Sequence, residues 1–264
     1  MLYLHHKGIV KIANLEPYRC LRCLHLESNA IRSLDGLRAL TVLASLYVDG
    51  NALCDLRGIE DLVQLRHLSA NDNVLETIEH VAGLPLLQAV CFRRNRIRAL
   101  DPLRSCPKLA SVDVAHNDLR SRDALDAVTS LPNLEVLYFA DGNPVAREID
   151  GYRRVVVARA RAIQWLDDAR VDDDAHRLAH AYVFRGGVQG ELQESLLIAN
   201  ERLIRERETH EAFPSACAFA LRRFAVAVDD DAAPTADGAP SVDSVPFSAC
   251  SHAVENQSLP SPIA

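Results

Sequence analysis

Leucine and other aliphatic residues recur along this chain at fixed offsets from a repeating asparagine. Asn29, Asn51, Asn73, Asn95 and Asn117 stand 22 residues apart, and each closes a segment of the form Leu-x-x-Leu-x-Leu-x-x-Asn-x-Leu, with aliphatic substitutions. The second unit places its apolar residues at Leu21, Leu24, Leu26, Ile31, Leu34 and Leu37, and the third repeats them as Leu43, Leu46, Val48, Leu53, Leu56 and Ile59. Units four and five keep every spacing: Leu65, Leu68, Ala70, Leu75, Ile78 and Val81, then Leu87, Val90, Phe92, Ile97, Leu100 and Leu103. Unit six opens with Leu109, Val112, Val114 and Leu119 and then stretches, because the next asparagine, Asn143, lies 26 residues after Asn117. The added length predicts a true helix between Ser121 and Leu131. A half unit opens the chain with Leu2, Leu4, Ile9, Ile12 and Leu15, and Lys7 takes the asparagine place.

Within each unit the x-Leu-x-Leu-x segment alternates, so it reads as a short strand with leucines turned inward and the intervening residues outward. Units of equal length stack these strands into a parallel sheet, and the chain must return along the opposite face. In 22 residues that return leaves room for 3₁₀ turns. The pattern is the signature of leucine-rich repeats. It predicts an α/β solenoid: a curved horseshoe with a parallel sheet on the concave face and 3₁₀ or helical segments on the convex one. Asparagine suits the point where the chain bends out of the strand, since its amide offers a donor and an acceptor to backbone groups stranded between coils. Leaving such a buried group unpaired costs about 1–3 kcal/mol. Asn29, Asn51, Asn73, Asn95, Asn117 and Asn143 therefore read as a structural ladder.

A solenoid end exposes apolar core unless it is capped. Gly142-Asn143-Pro144-Val145, Tyr152-Arg153-Arg154 and an aliphatic run to Ile163 predict a helix over 152–162 laid on the last repeat, with Trp165 and Leu166 tucked against it. Tyr152, Arg153, Trp165 and Leu166 are the cap residues. No equivalent segment precedes Leu2. The expected organisation is a capped array over 1–168, a helical extension over 169–213, and a weakly ordered tail over 214–264. Within the extension, a helix starts at the acidic run Asp172-Asp173-Asp174 and continues through Tyr182. Arg185-Gly186-Gly187 interrupts the chain, and a charged helix follows from Glu191 to about His210, with Leu192, Leu196, Leu203 and Ile204 partly on one stripe. Residues from Asp229 onward contain no lysine or arginine and read as disordered.

Composition narrows the function classes. A hydrophobic share of 48% with 25% charged residues fits a packed, water-exposed chain, and the net charge of −7 gives no electrostatic basis for general nucleic-acid binding. Cys20, Cys23, Cys54, Cys91, Cys106, Cys217 and Cys250 are scattered and odd in number, which predicts reduced thiols. No charged-then-apolar leader opens the sequence and no apolar run reaches membrane-spanning length, so the cytosol is the expected compartment. The sequon at Asn256 would matter only in a secreted protein.

Outward strand positions form a column of Tyr3, His25, Tyr47, Ser69, Cys91, Asp113 and Tyr138, flanked by Arg22, Glu27, Asp49, Arg66, Asn71 and Arg93. Tyrosine and arginine are the residue types that anchor protein interfaces. The candidate partner-binding residues are Tyr3, His25, Tyr47, Arg66, Arg93 and Tyr138, with Tyr47, His25 and Arg66 foremost. No catalytic, cofactor-binding or metal-binding set is predicted. Cys20-x-x-Cys23 has no second pair for a zinc site. His5-His6 lacks a companion carboxylate and reads as a pair straddling a strand. The triple aspartate lacks the alternation of a calcium loop. Phosphate-binding glycine loops, nucleophile elbows and metalloprotease motifs are absent.

Leu2-Tyr3-Leu4-His5 with Lys7-Gly8, Asn14-Leu15-Glu16, Leu21-Arg22-Cys23-Leu24, Gly142-Asn143-Pro144-Val145, Tyr152-Arg153-Arg154, Leu166-Asp167-Asp168 and Arg185-Gly186-Gly187 together resemble the leucine-rich-repeat axonemal dynein assembly factor family, over residues 1 to about 210. The sequence departs from that family in one extra residue between Phe139 and Asn143, in lacking the usual segment before the first repeat, and in a short C-terminal extension. The resemblance implies a non-enzymatic protein acting in the cytoplasm during preassembly of dynein arms, associated with the cilium or flagellum, with axonemal dynein chains and chaperone-type assembly factors as partners. It supplies no catalytic residues. Two other capped arrays remain open: a regulatory subunit gripping a type-1 protein phosphatase, and an RNA-processing adaptor holding a partner helix.

Overall fold

The structure, a computed structural model, describes residues 1–207, of which Met1–Glu206 form one compact unit. The tail over 214–264, the end of the charged helix, Cys217, Cys250 and the Asn256 sequon lie outside the described residues.

Among the described residues, nine strands pair in chain order: β1 (Leu2–Tyr3), β2 (Cys23–His25), β3 (Ser45–Tyr47), β4 (His67–Ser69), β5 (Ala89–Cys91), β6 (Ser111–Asp113), β7 (Val136–Tyr138), β8 (Trp165–Leu166) and β9 (Ala169–Arg170). The first eight run parallel, and only the β8–β9 pair is antiparallel. Leu24, Leu46, Leu68, Val90, Val112 and Leu137 stand in register across the sheet, and all six side chains are buried. The inward half of each alternating segment thus builds one continuous core, closed on the far side by Leu34, Leu56, Ile78 and Leu100.

Each ladder asparagine ties its own coil to the one before it. Asn95 Nδ2 donates to the carbonyls of Ala70, Phe92 and Arg93 at 2.9, 3.0 and 3.3 Å, while its Oδ1 accepts the Leu75 amide at 3.0 Å. Asn29, Asn51, Asn73 and Asn117 repeat this geometry. In the last repeat the extra residue shows: Asn143 donates to Phe139, four residues back, where the other asparagines reach back three. The residue before each ladder position, His6, Ser28, Gly50, Asp72, Arg94, His116 and Gly142, is left-handed, with φ between 52° and 72°. That conformation swings the chain out of the strand. The first half unit turns the same way at His6, and the Lys7 amide donates to Asn29 Oδ1. His5 and His6 therefore lie in the turn after β1 and do not straddle a strand.

The return segments include 3₁₀ turns at Glu16–Tyr18, Asp35–Leu37, Glu79–Gly83 and Asp101–Ser105. The longer sixth unit forms α1 (Arg122–Thr129), whose N-cap Ser121 accepts the Asp123 amide.

The cap consists of α2 (Pro144–Glu148), α3 (Tyr152–Arg159) and the β8–β9 hairpin. Tyr152 stacks on Phe139 of the last repeat with ring centroids 6.0 Å apart, and Arg153 donates to the carbonyls of Leu166 and Arg170. Two expectations need correction here. Helix α3 ends at Arg159 and does not reach 162, because Ala160 leaves helical geometry at ψ 87° to feed β8. Leu166 is fully buried, but Trp165 is 39% exposed. Trp165 joins the sheet beside Val136, and strand alternation turns its ring to the open face instead of against α3.

Asp172 caps α4 (Asp173–Phe184), accepting the Ala175 amide at 2.8 Å, so the acidic run is a helix start. The glycine pair turns the chain at φ 106° and 66°, and a second helix, α5, covers 188–207. Arg177 binds Glu201 with two guanidinium nitrogens at 2.7 and 3.0 Å and also reaches the buried Glu194, which Arg185 contacts from another side. Ile198 and Glu194 are buried, while Leu192, Leu196, Leu197, Leu203 and Ile204 are exposed. Among the described residues, no helix is long and apolar enough to cross a membrane.

Candidate functional site: the open face of the sheet

Outward positions on the strands gather into two groups. At the N-terminal end, Tyr3, His25 and Tyr47 form a continuous ring stack: Tyr3 and His25 lie 4.6 Å apart at 22°, and His25 and Tyr47 lie 4.5 Å apart at 6°. Parallel in-register strands produce it, because β1, β2 and β3 present Tyr3, His25 and Tyr47 directly abreast at the ordinary spacing of about 4.8 Å. The stacked faces cover one another, so edges and phenol groups remain for a ligand. Burial, and then the neighbouring Cys23, pushes the Tyr47 phenol up.

Along β2 a polar line runs beside the stack. His25 Nδ1 lies 2.8 Å from Glu27 Oε1, and Cys23 Sγ lies 3.3 Å from His25 Nε2. Arg66 is exposed just before β4 and makes no side-chain hydrogen bond or ion pair, so its charge is free for a partner.

Arg93 and Tyr138 belong to a second group. Arg93 sits between Asp113 at 3.9 Å and Asp141 at 3.8 Å, which commits its charge within the fold. Burial pushes the Asp113 carboxyl up, against the opposing pull of the Ala115 amide and Arg93. Cys91 beside it is pushed up to about 11, mainly by burial and then by Asp113 and Asp49. Tyr138 on β7 lies four strands from Tyr47, about 19 Å at ordinary sheet spacing. The six candidate residues therefore do not form one patch: three stack together, Arg66 stands just before the next strand, β4, and two stand apart.

Two features escaped sequence reasoning. Asp49 Oδ1 accepts the Ser69 hydroxyl at 2.6 Å and the Asn71 amide at 2.7 Å, while Asn71 Oδ1 accepts the Arg93 amide at 2.8 Å. This is a second side-chain ladder, on the open face, and its only trace in the sequence is a short acid or amide two residues before Asn51 and Asn73. At the cap, Trp165 extends the open face to its C-terminal edge, its indole N–H donating to the Asp167 carbonyl at 2.8 Å. Among the described residues, no three His, Cys, Asp or Glu side chains converge as a metal site. What the face can do chemically is hold another protein through aromatic edges and exposed guanidinium groups such as that of Arg66.

Comparison with known proteins agrees with that architecture. No protein-family model matches the chain. A stretch of 81 residues is 36% identical to leucine-rich repeat-containing protein ODA7 of Chlamydomonas reinhardtii, covering 31% of this chain and 18% of that protein. Among solved structures, an internalin C2 of Listeria monocytogenes superposes with a TM-score of 0.57 at 23% identity, over 67% of this chain and 74% of that one. An internalin, inlF, of the same organism gives 0.54 at 20% identity, over 66% and 49%. A leucine-rich-repeat protein of Leptospira interrogans gives 0.53 at 22%, over 64% and 42%. These structural likenesses carry the fold alone. With the asparagine ladder, the in-register parallel sheet and the capped end on view, the chain has the leucine-rich-repeat solenoid fold and is similar over part of its length to ODA7.

Proposed function

We propose that this chain is a non-enzymatic docking scaffold for the cytoplasmic preassembly of axonemal dynein arms, serving a cilium or flagellum. Its partner rests on the open sheet face at the Tyr3–His25–Tyr47 stack and Arg66. The single observation that carries the docking reading is the ring stack, with an unpaired, exposed arginine just before the next strand. Aromatic and arginine side chains are where interface energy concentrates. The assignment to dynein preassembly is supported by the family resemblance of the repeat, cap and Arg-Gly-Gly segments and by the similarity to ODA7. Axonemal dynein chains and chaperone-type assembly factors are the partners this reading names.

Affinity purification from ciliated-cell cytoplasm, followed by identification of the bound proteins, is the test. Dynein chains retained by the wild type and lost from a Tyr47→Ala, Arg66→Glu double variant of unchanged fold support the proposal. Recovery of a type-1 phosphatase or of splicing factors instead would replace the dynein assignment. Unchanged binding by the double variant would move the docking site elsewhere. Depletion from a ciliated cell should strip dynein arms and leave the microtubule doublets in place; normal arms after complete loss contradict the reading.

A further inference from the structure

Strand β2 and the two residues after it line up a thiol, an imidazole and a carboxylate. Cys23, His25 and Glu27 alternate onto one face of the sheet, with Sγ 3.3 Å from Nε2 and Nδ1 2.8 Å from the carboxylate. A carboxylate only accepts, so in the neutral ring Nδ1 carries the proton and donates it to Glu27, leaving Nε2 to accept the Cys23 S–H. The ring is held from three directions: Tyr3 covers one face, Tyr47 the other, and Glu27 fixes the edge. A nucleophile within reach of a base that a third group orients is the arrangement that activates a thiol.

We propose that Cys23 is a hydroperoxide-reactive thiol, with His25 as its proton relay and Glu27 as the residue that positions the ring. Sγ attacks the peroxide oxygen, so the S–O bond forms as the O–O bond breaks. The thiol proton passes to His25 Nε2 and from there to the departing hydroxide or alkoxide. Sulfur loses two electrons and becomes a sulfenic acid; the peroxide gains them and leaves as water or an alcohol. The reaction is stoichiometric, a modification of the chain with no turnover. Burial, ahead of the neighbouring Glu27, pushes the Cys23 thiol up, while the N-terminal charge pulls it down. The thiol therefore enters the reaction protonated, and a base at 3.3 Å has a task at the moment of attack.

The geometry also selects the class of electrophile. Acyl transfer would need backbone donors free to hold an oxyanion. Here the neighbouring amides of Leu4, Leu26 and Ser28 are engaged with carbonyls of the adjacent strand or turn. A hydroperoxide needs no such hole. Its leaving group needs a proton, and the relay delivers one.

The full chain is exposed to hydrogen peroxide with dimedone as the sulfenic-acid trap, and labelling of each cysteine is followed by peptide mass spectrometry. Exposed Cys54 is the internal reference. Half-buried Cys23 is expected to label about tenfold faster than Cys54 or more. His25→Phe, which keeps a ring in the stack, and Glu27→Gln should each slow Cys23 by about tenfold or more, a threshold below the roughly 10²–10⁴-fold that general acid–base catalysis typically contributes, with Cys54 unchanged. Glu27→Asp, which keeps the charge, should restore part of the rate. Cys23 reacting no faster than Cys54, or keeping its rate in His25→Phe, overturns the proposal. Should His25→Phe lose its fold by circular dichroism, an undiminished rate in Glu27→Gln overturns it equally. Equal losses in Glu27→Gln and Glu27→Asp remove Glu27 from the mechanism.

Discussion

The carboxylate of Asp167 accepts the backbone amide of Phe139 at 2.8 Å and that of Ala140 at 2.9 Å. In earlier coils the equivalent amides find a carbonyl of the following turn or strand: Phe92 donates to Asp113, and Val114 donates to Tyr138. After β7 no further repeat exists to supply one, and a side chain from the β8–β9 turn stands in. Asp167→Ala leaves two partly buried donors without acceptors, and the expected loss is about 1–3 kcal/mol. Asp167→Asn keeps an acceptor and tolerates the left-handed φ of 50°, so it should lose less. Urea denaturation of both variants checks the order; equal losses would show that the carboxylate is not what closes the last coil.

The buried ladder asparagines are expected to resist even the closest replacement. Asn95→Asp keeps size but turns the amide nitrogen, which faces the carbonyls of Ala70, Phe92 and Arg93, into one more acceptor set against all three. Asn95→Asp should lower stability by at least as much as Asn95→Ala, itself about 1–3 kcal/mol. A titration midpoint for the aspartate variant above that of alanine would contradict this.

Gly58 carries a φ of 105°, and a Cβ there would lie 2.5 Å from the Leu34 carbonyl carbon. Both the backbone conformation and the space forbid a side chain. Gly58→Ala is expected to cost at least about 1 kcal/mol, the reverse of the usual gain from removing a glycine. Gly8→Ala, also at positive φ but with open space around it, separates the two causes. The prediction requires the larger drop in urea midpoint at position 58.

The helical pair carries the clearest pH dependence. Arg177, by its hydrogen bonds, holds the Glu201 carboxyl below the ordinary glutamate value of about 4.3. A depressed carboxyl pKa contributes stability that is complete above the unfolded value and lost as pH falls through the folded one. Amide hydrogen exchange over 173–206 should therefore rise relative to the repeat core as pH falls below about 4, after correction for intrinsic rates. Arg177→Gln should remove most of that pH dependence. Exchange in 173–206 that tracks the core at every pH would show that these ion pairs do not govern the helical pair.

Much of this architecture was legible before any coordinates. The 22-residue spacing placed Leu24, Leu46, Leu68, Val90 and Val112 inward, and they stand in register in the core. The 26-residue interval before Asn143 foretold α1 between Ser121 and Leu131, and Asn143 itself reaches back one residue further than its counterparts. These features obey local rules of period and alternation, which the chain carries wherever it goes. Trp165 was misplaced because a bulky aromatic near a cap reads as core, whereas its place in β8 turns it outward.

The linear sequence by itself determined the coil, its period, the inward face and the buried amide seam, since each depends only on neighbours at fixed spacing. Tertiary structure alone decided which outward residues meet. Stacking strands about 4.8 Å apart turned Tyr3, His25 and Tyr47 into one column of rings, while Arg93 was drawn to Asp113 and Asp141. Residues 22 apart in sequence become neighbours only when the solenoid closes each turn, and side-chain rotamers on the open face answer to those neighbours, not to the repeat.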